Sequence, residues 1–192
     1  MKKTIAITGG IGSGKSTLTE YLKSLGYPTF SSDAIVSELY ETRKVKRLVK
    51  KLFPTAVKGL FNLTLDRKAI AEQVFNDKNK LLALTDLVTP LVLEEIKART
   101  AKTEGVCFVE VPLLFECSYQ TFFDGVWVVT RPLEDRITSV MARSNLTREQ
   151  VVARINNQVD YDALDLSPYV VISNDGNAES LYKKVKNLID NI

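Results

Sequence analysis

The chain has 192 residues, 45% of them hydrophobic and 26% charged, with a formal net charge of +3 and no histidine. Such a length buries a full core as one domain, and the ordinary balance of apolar and charged residues excludes a disordered chain. The small positive charge suits a polyanionic small ligand rather than wholesale nucleic-acid binding, and the missing histidine excludes imidazole bases and His-ligated metals.

Met1-Lys2-Lys3 is followed by an apolar run only as far as Ile7, too short for the apolar region of a signal peptide. Nothing later approaches the ~20 apolar residues of a membrane span. The expectation is a soluble, cytoplasmic protein with neither a membrane nor a nucleic-acid partner. Cys107 and Cys117 fit no zinc or redox spacing, so two packed, reduced thiols are expected.

Lys2 to Thr8, with Ile5 and Ile7 around Ala6, predicts a buried strand that ends at glycines. The next stretch, Gly9-Gly10-Ile11-Gly12-Ser13-Gly14-Lys15-Ser16-Thr17, contains the pattern G-x-x-x-x-G-K-S from Gly9 to Ser16. In that pattern glycines let backbone N–H groups curl around nucleotide phosphates, the lysine supplies an ammonium to the β- and γ-phosphates, and the serine hydroxyl is placed to hold Mg²⁺. Leu18, Tyr21, Leu22 and Leu25 have helical spacing, and Gly26 closes the helix. Strand, loop and helix N-terminus thus converge on one anion site.

Tyr27 to Ser31 predicts a second strand, and Ser32-Asp33 begins a helix, which puts Asp33 just past a strand end. There it either faces the ligand crevice of a parallel sheet or caps the helix. Arg43 to Phe53 reads as an amphipathic helix whose basic face is either a phosphate-reading patch or, with fewer assumptions, simply solvated, and residues 54 to 105 read as helical and connective. Within that stretch Asp66 precedes a helix, Asn76-Asp77 breaks it, Leu81 to Val88 forms another, and Pro90 opens a further one at its first position. A helical insertion of this kind is a natural cap over a substrate.

Val106 to Val111 returns to strand character with Glu110 near its end, where a phosphate-loop enzyme uses an acid to position Mg²⁺. Glu116 either meets substrate or is a surface acid. Val126 to Val129 predicts a strand, and Pro132 starts a helix; the region carries Arg131, Arg136 and Arg143, then Arg148 and Arg154 beyond a Thr147-x-x-Gln150 capping box. Arginines on such a helical pair either close over a transferring phosphoryl group or form surface ion pairs. Tyr169 to Ile172 is the last strand, Asn174-Asp175-Gly176 its turn, and Leu181, Val185, Leu188 and Ile189 mark the final helix. Alternating strands and helices predict an α/β fold with a parallel sheet flanked by helices.

The order of these pieces resembles dephospho-coenzyme A kinase, of the P-loop kinase group. The likeness rests on Ile7 to Ser16, Leu25-Gly26, Asp33, Val111-Pro112-Leu113-Leu114-Phe115-Glu116, Arg136 and Arg143, Arg154 with Gln158, and Val171-Ile172 before Asn174-Asp175-Gly176. It implies a single P-loop kinase domain over 1–192, with a helical substrate-binding insertion at about 36–103 and a lid at about 133–165. It also implies transfer of the γ-phosphoryl of ATP, with Mg²⁺, to the ribose 3′-hydroxyl of dephospho-coenzyme A, giving coenzyme A. By position, Lys15, Asp33 and Arg143 would be catalytic, Gly10 to Thr17 with Asn174 and Gly176 would bind nucleotide, and Ser16 would hold the metal. A monomer or weak homo-oligomer is expected. The chain departs from the family's pattern in having Ser31-Ser32-Asp33 for its D-x-D pair, Thr89-Pro90 for its His-Pro, and Glu110 for a frequent Asp. Other readings of the same residues are a related nucleoside or nucleotide kinase and an ATP-binding regulator without catalysis.

Overall fold

The computed structural model describes residues 2–59 and 62–192. Met1 of the N-terminal run, and Leu60 and Phe61 of the stretch read as helical and connective, lie outside the described residues. The chain divides into two compact units, one formed by 1–31 with 103–192 and the other by 32–102.

The first unit is built on a five-stranded sheet of β1 (Lys3–Thr8), β2 (Thr29–Ser31), β5 (Val106–Glu110), β6 (Gly125–Thr130) and β7 (Val170–Ser173), in the order β2-β5-β1-β6-β7. Every pairing is parallel. The register sets Glu110 opposite both Ile7 and Ser31, and Thr130 opposite Ser173, so the carboxyl ends of the strands line up along one edge. The chain moves from β1 toward β2 on one side and later returns to β6 on the other, which makes the carboxyl end of β1 a topological switch point. One face of the sheet buries Ile5, Ile7, Phe108, Trp127, Val129 and Ile172 against Leu18 and Leu22 of α1 (Lys15–Ser24) and Leu181 and Val185 of α8 (Ala178–Ile189). Phe108 and Trp127 lie with ring centroids 5.0 Å apart. A separate cluster of Ile137, Val140 and Val151 joins α6 (Leu133–Ser144) to α7 (Arg148–Asn156), and the capping box of Thr147 and Gln150 forms as expected.

The second unit contains α2 (Ser32–Glu41), α3 (Arg43–Leu52), a hairpin of β3 (Val57–Lys58) with β4 (Thr64–Leu65), α4 (Arg67–Asn76) and α5 (Lys78–Ala101). Its core gathers Val45, Val49, Phe53, Ala56, Val57 and Ile70, which accounts for the spacing of apolar residues among the lysines of α3. Asp66 caps α4 by accepting from Ala69 N, and Asp77 caps α5 by accepting from Asn79 N and Lys80 N. One expectation is corrected here. Pro90 does not open a helix but lies inside the 24-residue α5. A proline in that place forfeits one backbone hydrogen bond and crowds the preceding turn; burial of Val88, Val92 and Ile96 on both sides of it keeps the helix continuous. Among the described residues no helix is long and apolar enough to cross a membrane.

Candidate active site

The glycine stretch forms the turn from β1 into α1. Gly14 is the N-cap of α1 in a left-handed conformation, with φ 101°, and no side chain caps that end. A helix start without a side-chain cap, with its dipole behind it, is the kind of end that favours an anion. Two other glycines are required by close packing. A side chain at Gly9 would collide with the Val129 carbonyl, and a Cβ at Gly12 would stand 2.6 Å from the Arg136 carbonyl oxygen. Both also have positive φ.

Lys15 is buried, and its Nζ donates to Gly9 O at 2.7 Å and Gly10 O at 3.1 Å, which holds the ammonium on the loop. Ser16 Oγ donates to Glu110 Oε1 at 3.2 Å, and Thr19 Oγ1 donates to Glu110 Oε2 at 3.1 Å. Both oxygens of the acid that ends β5 are thus tied to the first turns of α1. Among the described residues there is no cluster of three His, Cys, Asp or Glu side chains that would cage a metal. One hydroxyl beside one carboxylate is instead an all-oxygen donor set of the sparse kind that suits Mg²⁺, which keeps waters and takes its remaining ligands from substrate phosphates.

The segment after α7 grips the loop from outside. Gln158 Oε1 accepts from Ile11 N at 2.7 Å, and the Tyr161 hydroxyl meets Thr8 Oγ1 at 3.2 Å. Glu116 anchors this segment by accepting from Val159 N at 3.2 Å, and Phe115 packs edge-on against both Tyr161 and Tyr169. Burial pushes the Tyr161 phenol above its ordinary pKa, against the smaller opposing effect of its bond to Thr8. The turn after β7 is joined to the same loop, since Asn174 Nδ2 donates to Ser13 O at 2.8 Å. Lys184 of α8 fixes that turn by donating to Ser173 O, Ser173 Oγ and Asp175 Oδ1, and its hydrogen bond holds the Asp175 carboxyl below the usual carboxylate range.

Gly10 through Thr17 thus form one continuous loop and helix start to which Asn174 is bonded, with Gly176 following in the exposed turn before α8. Arg143 is exposed in the last turn of α6, and the arginine packed on the loop is Arg136, whose guanidinium occupies the space where a Gly10 side chain would go. Arg148 is a surface ion pair, bonded through both terminal nitrogens to Glu134. Asp33 belongs to the second unit; it is exposed in the first turn of α2, two residues past the end of β2. Tyr161 and Lys184 gave no sign in the sequence, because each acts through contacts that no local pattern announces.

A family model for dephospho-CoA kinase matches residues 3–180. A dephospho-CoA kinase of Thermus thermophilus is 39% identical over 183 residues, covering 95% of this chain and 88% of its own. One from Fusobacterium nucleatum is 33% identical over 189 residues, covering 98% and 97%. A crystal structure from Thermus thermophilus superposes with a TM-score of 0.86 at 38% identity, covering 99% of this chain and 97% of the other. A dephospho-CoA kinase structure from Campylobacter jejuni superposes at 0.71 with 26% identity, covering 99% and 96%. A shikimate kinase from Bacteroides thetaiotaomicron, at 13% identity and a TM-score of 0.56, shares the fold. With a phosphate loop at the switch point of a parallel sheet and a match over nearly its whole length, the chain belongs to the dephospho-CoA kinase family.

Proposed function

We propose that the ATP-dependent phosphorylation of dephospho-CoA, the reaction of this family in coenzyme A biosynthesis, is carried here by Lys15, the loop amides, the Ser16 and Glu110 pair, Asp33 and Arg143, with the ribose 3′-hydroxyl as acceptor. The observation that carries the reading is the phosphate loop itself, with Lys15 held on it and Ser16 bonded to the acid that ends the neighbouring strand. Phosphoryl transfer asks a protein mainly for positioning and for charge stabilisation. Loop N–H groups from Gly10 to Thr17 cradle the phosphates, the Lys15 ammonium offsets charge on the transferring group, and the turn at Asn174 to Gly176 borders the adenine. Ser16, with Glu110 behind it, would hold Mg²⁺, which would supply positive charge against the phosphates. Asp33 accepts the hydroxyl proton as the bond from the acceptor oxygen to phosphorus forms and the bond to the ADP oxygen breaks. Residues 36–103 serve as the acceptor-binding insertion and 133–165 as the lid that brings Arg143 over the phosphoryl group. The protein works in the cytoplasm.

The direct test is ADP release from Mg·ATP with and without dephospho-CoA, with the product identified by mass. A product heavier by one phosphate is expected; ATP binding without acceptor-dependent ADP release would overturn the assignment of the acceptor. The metal role has its own test. Glu110→Gln keeps the shape of the side chain and removes its charge, and should raise the Mg²⁺ concentration for half-maximal rate by roughly 10- to 100-fold. An unchanged Mg²⁺ titration at fixed ATP would leave Glu110 a purely structural link between β5 and α1.

A further inference from the structure

Arg136 sits in the second turn of α6 with only 7% of its surface exposed. A cation so deeply placed is ordinarily paired with a carboxylate, because desolvation of an unpaired charge is expensive. Among the described residues Arg136 takes part in no ion pair, and its Nε has no hydrogen-bond partner although it is buried. Its neighbour in the same crevice is Arg131, whose buried Nε is also without a partner, as is Ser13 Oγ. Asp162 lines that crevice too, yet forms an ion pair with neither arginine. Two guanidiniums with no paired acid therefore stand together against the outside of the phosphate loop, at Gly10 and Ser13.

The direction of contact defines what Arg136 does. Its guanidinium fills the space of a Gly10 side chain and its carbonyl oxygen blocks one at Gly12, so it touches the loop on the side to which those side chains would point. From there it acts through the loop backbone. Building on the ATP-binding part of the reading above, we propose that Arg136 is a positioning residue whose counter-charge is the bound nucleotide's phosphate chain, so that the protein keeps an unneutralised buried cation in order to raise affinity for the most highly charged nucleotide. The attraction across a few ångströms of protein grows with each phosphate charge, whereas the packing of the arginine stem against the loop is indifferent to it. The residue thus tunes selectivity among triphosphate, diphosphate and uncharged nucleoside.

The experiment compares the full chain with Arg136→Met and Arg136→Lys, by melting temperature without ligand and by titration calorimetry with ATP, ADP and adenosine. The Met variant, which keeps the bulk and loses the charge, is expected to melt no lower than the wild type, since an unpaired buried charge is removed. It should bind ATP about 10-fold more weakly, ADP less affected and adenosine unaffected; the Lys variant should recover most of the ATP affinity. Rising salt should narrow the gap between wild type and the Met variant. A Met variant that melts lower or fails to fold, while Lys is normal in stability and unchanged in ATP affinity, would overturn the proposal in favour of simple packing. Equal losses for all three ligands would overturn it in favour of loop shape. Wild-type protein that binds no ATP would remove the counter-charge and the inference with it, whereas ATP binding without dephospho-CoA phosphorylation would sink only the assigned reaction.

Discussion

Asp33→Asn is expected to lower turnover by ~10²- to 10⁴-fold while leaving ATP affinity within about twofold of the wild type. Asp33 lies in the first turn of α2, exposed, immediately after the strand that ends at Ser31. A carboxylate is favoured at that end of a helix by the dipole, and asparagine is accepted there almost as readily, so the substitution removes the proposed base without removing a helix. The neighbouring residues sharpen the expectation. Ser31 and Ser32 offer hydroxyls and no second carboxylate, and a serine cannot replace Asp as the acceptor of the substrate's proton. The loss should therefore appear in kcat and in kcat/KM together, with the ATP titration and the melting curve unmoved. Asp33→Glu separates base from bulk, since it keeps a carboxylate but displaces it by one methylene, and should recover part of the rate. Wild-type turnover in the Asn variant would take the role away from Asp33 and leave it a surface residue of the helix start.

The parts of this molecule that were legible in the sequence are those whose physics is local. β1, the glycine loop and α1 are written within twenty-odd residues because backbone freedom, apolar alternation and helical spacing each leave a near-neighbour pattern. The capping box at Thr147 and the caps at Asp66 and Asp77 are local for the same reason. Pro90 misled because a proline is a sound sign of a helix start in isolation, whereas burial of residues on either side decided otherwise. The two-residue strands of the β3 and β4 hairpin are too short to show a period.

Within the site the division is sharper. Arg136 and Arg143 are seven residues apart, about two helical turns, so helical periodicity places them on one face and gives no means of choosing between them. Contact of Arg136 with the loop depends on Gly10 and Gly12, more than a hundred residues away in sequence. Glu110 was recognisable as an acid at a strand end, but its bonds to Ser16 and Thr19 depend on β5 pairing with β1 rather than with a strand nearer in the chain. Tyr161 reaches Thr8 across 153 positions from an irregular, aspartate-rich stretch, where no period exists to reveal it.

Lys15→Ala should have the other large effect, with a different signature. Here both ATP affinity and the transfer step should fall, and catalytic efficiency should drop by roughly 10²- to 10³-fold or more, the scale for losing one preorganised charge donor at a reacting centre. The lysine is buried at 8% exposure and donates to the carbonyls of Gly9 and Gly10, so its removal also frees two acceptors of the loop. Each such bond is worth about 1 kcal/mol net, a modest change in melting temperature for the protein without nucleotide. Stabilisation by ligand is where the variant should differ most. A nucleotide present at about 100 times its dissociation constant stabilises the folded chain by ~2.7 kcal/mol, and a variant that binds it 100-fold more weakly retains only ~0.4 kcal/mol at the same concentration. Arg136, which meets the loop at Gly10 and Gly12, is left in place, so residual ATP binding should persist and remain salt-dependent. Lys15→Arg should not restore the rate, because the planar, bulkier guanidinium cannot lie on the two carbonyls as a compact ammonium does. If Lys15→Ala keeps wild-type kinetics and the same melting shift with ATP, the loop does not hold the nucleotide's phosphates, and the site must be sought elsewhere in the chain.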